Sequence, residues 1–223
     1  MKFLPLVLAV AMSLGSALSA RANTNLLNNG DFETGPFNMI GTVSDWIVDG
    51  NGFVADRGPG SASDYQGSTS GTHAAAFDVG GNSQGNTLSQ SFGTVVGVVY
   101  MLCFDAGIYG KLNVDPLQLH VEVLGGGTLL DQVLTPPDAE TYDPNAVDFQ
   151  HYEFMFTADS TSTTLRFTDI DTMMANGGAD LMLDTACVEA VPEPSTIATV
   201  ILGLGLLLGL SPRVRRLVRA GGY

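Results

Sequence analysis

From Leu117 to Leu124 the chain alternates: Leu117, Leu119, Val121 and Val123 are apolar, while Gln118, His120 and Glu122 are polar. A period of two sorts these sets onto opposite faces of an extended strand, which a helix cannot do. Gly125-Gly126-Gly127 follows, and then a further run from Thr128 to Val133. Two such runs around a glycine turn predict a β-hairpin.

The rest of the body, from about Asn23 to Ala190, has no helical period and repeats this pattern. Val98 to Phe104 predicts one strand. His151 to Thr157 and Thr163 to Asp169 predict a further pair joined by the polar turn Asp159-Ser160-Thr161. Leu181 to Val188 predicts a last strand, and Pro136 to Asp148 a long polar surface loop. Short strands at this spacing predict an all-β, two-sheet sandwich. Composition agrees: 45% of residues are hydrophobic, enough for a core, whereas 27 glycines and only 14% charged residues favour turns and strands over surface helices.

Charge is unevenly spread. The formal net charge is −14, yet four of the nine basic residues, Arg213, Arg215, Arg216 and Arg219, lie beyond the last apolar run. Lys2 and Arg21 lie in the N-terminal segment, leaving Arg57, Lys111 and Arg166 for the body. So acidic a body repels phosphate backbones, which argues against nucleic acid as a partner. It suits neutral sugars or divalent cations, or simply keeps an exported protein soluble.

Both ends read as addresses. Residues 1–22 fit a secretory signal peptide: Lys2, the apolar stretch Phe3 to Leu14, then small residues at Ala17-Leu18-Ser19-Ala20 and Ala20-Arg21-Ala22, with cleavage expected after Ala22 or Ala20 by signal peptidase. The C-terminal segment, 191–219, has three parts in order: Val191-Pro192-Glu193-Pro194-Ser195-Thr196, an apolar run from Ile197 to Leu210, and the basic tail 213–219. A transmembrane helix over 195–210 is short against the roughly 20 residues of a full span. Pro194 suits its first turn and Pro212 its end. The arginines would hold the tail on the cytoplasmic side.

This C-terminal order resembles the PEP-CTERM sorting signal of exported bacterial proteins, with Pro192, Glu193 and Pro194 as the motif. The resemblance implies a membrane-embedded exosortase as partner. It also implies a first hold at the inner membrane and a final place on the surface or in the matrix of a Gram-negative bacterium. The body resembles a second family. Asn28-Asn29-Gly30-Asp31-Phe32-Glu33, Trp46, Leu88-Ser89-Gln90-Ser91-Phe92, Tyr100 to Asp105, Phe156-Thr157-Ala158 and Leu183-Asp184 occur in the order of choice-of-anchor C domains. That resemblance implies a galactose-binding-like jelly roll and, through its relatives, carbohydrate binding.

Candidate sites follow. The jelly-roll resemblance implies a structural Ca²⁺ held by Asp31 or Glu33 together with Asp184. Such a cation wants six to eight oxygens, which two carboxylates and a carbonyl-rich turn supply. The alternative is that Glu33 caps a turn and Asp184 makes a hydrogen bond. Asp169 and Asp171 form a second acidic pair, without an EF-hand loop. Cys103 and Cys187 are the only cysteines, and in an exported body they form either a disulfide or two buried thiols. Trp46, Phe53, Tyr65 and Tyr109 are candidate sugar-stacking aromatics, with Trp46 better suited to the core as a lone Trp of large apolar area.

No catalytic site is expected. His73, His120 and His151 are scattered, and Gly67-Ser68-Thr69-Ser70-Gly71 carries Thr where a nucleophile elbow needs Ser. The leading reading is a non-catalytic surface or matrix protein that binds polysaccharide. A purely structural or adhesive protein and a glycan-active enzyme are the alternatives.

Overall fold

The computed structural model describes residues 24–50, 54–57, 68–77, 85–109, 117–137, 147–170 and 179–192. The ten strands are β1 (Ile47–Asp49), β2 (Val54–Arg57), β3 (Ala74–Phe77), β4 (Thr87–Gly93), β5 (Val99–Tyr109), β6 (Leu119–Leu124), β7 (Thr128–Leu134), β8 (Gln150–Thr157), β9 (Ser162–Asp169) and β10 (Asp180–Ala190). All lie in one compact unit, Asn23–Val191. They form two five-stranded sheets, β1-β4-β9-β6-β7 and β2-β3-β10-β5-β8, with every pairing antiparallel. The described residues are therefore all-β. Among the described residues no helix is long and apolar enough to cross a membrane. The expected signal peptide, the apolar run 195–210, the basic tail, Phe53, Tyr65, Asp171, Glu193 and Pro194 lie outside the described residues.

The two sheets meet through the apolar half of each alternating strand. Leu119, Val121 and Val123 of β6 and Leu165 and Phe167 of β9 face Leu102, Phe104 and Ile108 of β5 and Leu181 and Leu183 of β10, all buried in one cluster. Phe104 stacks on Tyr152 and Phe154 of β8 and meets Phe167 edge-on from the opposite sheet, with ring centres 5.1 Å apart. Such edge-to-face contact adds about 0.5–1.5 kcal/mol beyond burial. β3 breaks the pattern. Its four residues, Ala74-Ala75-Ala76-Phe77, are all buried, because Val147, Phe149 and Tyr109 cover its outer side around Ala74, Ala76 and Met182.

One sequence expectation is corrected. β8 and β9 are consecutive but do not pair. β8 lies beside β5, whereas β9 sits between β4 and β6 in the other sheet. The segment 158–161 crosses the core edge instead of turning back. Phe154 and Phe156 on one strand, and Leu165 and Phe167 on the other, must reach the same core from opposite sides. The Asp159 carboxylate bonds elsewhere, accepting from the Gly126 and Gly127 N–H groups at 2.7 and 3.1 Å.

β10 carries a bulge. Asp184 stands opposite Asp105 and Cys187 opposite Cys103, so β10 spends one more residue than β5 over the same length. Thr185 takes the left-handed backbone region there, with φ 52°. The N-terminal segment binds the bulge: Ala186 N–H donates to the Gly30 carbonyl at 2.8 Å, and the Asn25 amide donates to the Ala186 carbonyl at 2.9 Å. A Cβ at position 30 would fall 2.0 Å from that Ala186 oxygen, so only glycine fits.

Candidate functional site

Four features can be built from the residues upward. The first is the disulfide. Because the bulge keeps Cys187 on the same face as Cys103, the two are directly opposed, with Cα atoms 5.0 Å apart, and bonded to each other. The sequence left thiols and disulfide open; the structure places a bridge between β5 and β10.

The second is a clasp around the segment 69–73. Asp184 is fully buried, and its Oδ2 accepts from the N–H groups of Thr69 (2.6 Å) and Ser70 (3.0 Å) and from the Thr69 hydroxyl (3.1 Å). Its Oδ1 accepts from Thr185 N–H at 2.6 Å. Glu33 holds the other half of the segment. Its Oε1 accepts from Thr72 and His73 N–H at 2.6 and 2.7 Å, and its Oε2 lies 3.2 Å from His73 Nδ1. Phe37 stacks on the His73 ring, centres 3.8 Å apart. Burial pushes the Asp184 carboxyl up to about 6, against the opposing pull of its hydrogen bonds. Burial also pushes Glu33 up, but the bonds from His73 and Thr72 outweigh it and leave that carboxyl below its ordinary value.

The expected calcium ligands are thus only partly gathered. Glu33 and Asp184 meet on one segment, while Asp31 is exposed and its carboxylate oxygen lies 3.5 Å from Glu33 N–H. The oxygens of Glu33 and Asp184 face N–H donors, not carbonyls. As folded, this donor set does not fit a cation that wants six to eight oxygens. Among the described residues no group of three or more His, Cys, Asp or Glu stands where it would hold a metal ion.

The third feature is a cleft of about 280 Å³ between Asn25–Asp31 and Thr185–Cys187. Its amides are committed to the fold: Asn25 Oδ1 accepts from Leu27 and Val188 N–H, and the Asn29 side chain bonds Thr34 and Ser44.

The fourth is the outer face of the β1-β4-β9-β6-β7 sheet. Here the polar half of each alternating strand comes into register. Ile47, Ser89, Arg166, Glu122 and Asp131 form one row across all five strands. Asp49, Thr87, Thr168, His120 and Val133 form the next, and Ser91, Thr164 and Leu124 a third. At about 4.8 Å per strand, each full row is about 19 Å long. Arg166 forks onto Glu122 Oε2 through Nε (2.7 Å) and Nη2 (2.6 Å). His120 Nε2 lies 2.8 Å from Asp131 Oδ1, and the Ser91 and Thr164 hydroxyls are 2.8 Å apart. The face is open to solvent: Asp131 and Arg166 have side chains 63% and 41% exposed. Hydroxyls, one guanidinium, one imidazole and three carboxylates thus share this face, and no Phe, Tyr or Trp stands in its rows.

Of the four candidate aromatics, Phe53 and Tyr65 lie outside the described residues, and Trp46 and Tyr109 do not come together. Trp46 is in the core, between Phe32 and Phe167, with its Nε1–H donating to the Asn29 carbonyl at 3.0 Å. That burial bears out the core reading of Trp46 and rules against it as a stacking platform. Tyr109 packs against the small cluster on the outside of the other sheet. The polar-face residues were missed individually, although their signal was present. They are the polar partners of the alternation that predicted the strands, as His120 and Glu122 are to Leu119, Val121 and Val123.

His151 sits on the outer face of the second sheet, with Nδ1 2.6 Å from Asp105 Oδ1. That hydrogen bond raises its pKa, with burial acting in the other direction. A raised imidazole pKa contributes stability that is full below the unfolded value of about 6.5 and is lost as pH rises through the folded value. His151→Gln is therefore expected to flatten the fall in Tm between pH 6 and 8. Identical slopes in the two proteins would contradict it.

No family model and no curated relative matches the chain. Solved structures do. TmCBM61, in complex with β-1,4-galactotriose, is 19% identical, matches 75% of this chain and 99% of its own, and has a TM-score of 0.51. The CBM22-1 xylan-binding domain from Paenibacillus barcinonensis Xyn10C is 17% identical over 78% of this chain and 98% of its own, with a TM-score of 0.47. The likeness to TmCBM61 bears on the fold alone: a two-sheet β-sandwich of the same design over nearly that protein's whole length.

Proposed function

We propose that this chain is an exported, non-catalytic surface or matrix protein whose galactose-binding-like jelly roll binds polysaccharide on the outer face of the β1-β4-β9-β6-β7 sheet. The observation that carries the proposal is the register-aligned polar face. Its rows present donors and acceptors at strand spacing over about 19 Å, which suits the hydroxyl edges of an extended glycan. No Phe, Tyr or Trp stands in these rows, so the affinity they supply rests on hydrogen bonds to Arg166, the Ser and Thr hydroxyls and the carboxylates. The carbohydrate-binding neighbours support this reading through the shared fold.

A screen of polysaccharides against the full chain tests it. Arg166→Ala is expected to weaken binding by about tenfold or more, since a hydrogen bond to a charged group contributes about 1.5–3 kcal/mol. Thr164→Val, which keeps shape and loses the hydroxyl, is expected to weaken it less. Binding unchanged in both variants moves the site elsewhere. No binding to any glycan favours an adhesive or structural role, and turnover favours an enzyme.

The C-terminal segment belongs to the same proposal: Pro192, Glu193 and Pro194 mark an exosortase substrate, with the apolar run 195–210 as its hold in the membrane and signal peptidase removing residues 1–22. The support is the order of motif, apolar run and arginines. Mass spectrometry of the mature protein from its host tests it; a mature chain still ending in Arg219-Ala220-Gly221-Gly222-Tyr223 refutes processing. A structural Ca²⁺ held by Asp31 or Glu33 with Asp184 rests on the sequence resemblance alone, and it requires the segment 69–73, which offers these carboxylates N–H donors, to turn carbonyls toward them. A Tm raised by Ca²⁺ and lowered by chelator carries this reading, because a ligand of the folded state must stabilise it. A Tm that neither moves leaves the clasp to hydrogen bonds.

A further inference from the structure

We propose that the pole of the sandwich formed by the β4–β5 turn is a lipid-facing surface, seated on the bilayer while the C-terminal apolar run is held there. The inference rests on the anchoring reading above. The turn Val95–Val98 is closed by Val98 N–H donating to the Val95 carbonyl at 3.1 Å, with Gly97 in the left-handed region at φ 84°. Corners of such turns normally carry Gly, Pro, Asn, Asp or Ser. Here the tip is Val95 and Val96, 62% and 58% exposed, with Val99 38% exposed beside them. The adjoining turns are equally poor in charge. Residues 125–127 are three glycines, and 158–161 contribute one carboxylate, Asp159, which is turned onto the Gly126 and Gly127 N–H groups. A tip with two bare valines, no cation and a single carboxylate bound to backbone N–H groups suits the boundary between headgroups and acyl chains better than water.

The chain's exit selects the occupant. Val191 N–H donates to the Val99 carbonyl at 2.9 Å, so the polypeptide leaves the sandwich at this pole. Five residues, 192–196, separate Val191 from Ile197 at the start of the apolar run. Fully extended, they span at most roughly 18 Å. The opposite pole, at Tyr109 and Asp180, lies the length of the eleven-residue β5 away, about 33 Å at 3.3 Å per residue. The tether therefore brings the valine tip, and not the far pole, to the bilayer. With no Lys or Arg in the three turns, the surface it meets is the apolar boundary of the bilayer and not an anionic headgroup layer.

The test uses the full chain in phosphatidylcholine vesicles, labelled with an environment-sensitive fluorophore at Val96→Cys and, separately, at Asp131→Cys on the polar sheet face. The label at 96 is expected to shift to the blue and to be quenched by lipids carrying a quencher in the acyl chain, and the label at 131 to do neither. A chain that floats with the vesicles while both labels stay in water overturns this inference alone. A chain that fails to float overturns the anchoring reading and this inference with it. A blue shift at 96 that grows with protein density and ignores the lipid quencher assigns the tip to a second copy of the chain, and overturns the lipid assignment.

Discussion

Replacing Cys103 and Cys187 together by alanine is expected to lower the unfolding free energy by about 4–5 kcal/mol, the largest effect of any change considered for this chain. The bridge closes a sequence separation of 84 residues, and in the chain-entropy view a loop that long confines the unfolded ensemble strongly. It also joins β5 to β10, the two longest strands. The core beneath stays intact, since both side chains lie on the outer face of their sheet. Refolding should therefore still reach the same sandwich. Chemical denaturation of the oxidised protein and the double variant measures the difference. A loss below about 1 kcal/mol would mean that the unfolded chain is already confined without the bridge.

Asp184→Ala is expected to cost about 2–3 kcal/mol at low pH, and less at pH 8. The substitution leaves three backbone N–H groups, those of Thr69, Ser70 and Thr185, without their acceptor, and an unmade bond at a buried group costs about 1–3 kcal/mol. The pH dependence follows from the raised carboxyl. A group whose folded pKa stands near 6 against an ordinary 3.8 binds its proton more tightly when folded. Its contribution is full below the ordinary value and is lost as pH rises through about 6. The gap in stability between wild type and Asp184→Ala should thus narrow between pH 4 and pH 8. A gap that widens instead would mean that the ionised form is the one the clasp is built for, as a bound cation would make it.

How much of this was legible in the sequence can be judged strand by strand. β6, β7 and the Gly125-Gly126-Gly127 turn were plain, because alternation and a glycine turn are both local. β5, β8, β9 and β10 were found with ends displaced by a few residues. β1 to β4 were not predicted as strands, although Leu88 to Phe92 of β4 was quoted for the choice-of-anchor resemblance. β1 and β2 have three and four residues, too few to show a period. β3 is buried on both sides by chain from elsewhere. The false β8–β9 hairpin has the same origin: adjacency suggested a pair, and the core required the two strands to face each other across it.

The sites divide likewise. Cys103, Cys187, Glu33 and Asp184 were singled out, yet their roles depend on one extra residue in β10. By strict alternation Asp184 and Cys187, three apart, would point to opposite faces. The bulge puts both on the outer face, one clasping residues 69–73 and the other bonded to Cys103. The sequence by itself determined what depends on neighbours along the chain: strand periods, the hairpin turn, and the order of motif, apolar run and arginines at the C-terminus. Only the tertiary structure decided which strands share a sheet, which polar residues line up as rows, and where the chain leaves the sandwich beside bare valines. Those depend on burial between residues far apart in the chain, and no local pattern encodes that pairing.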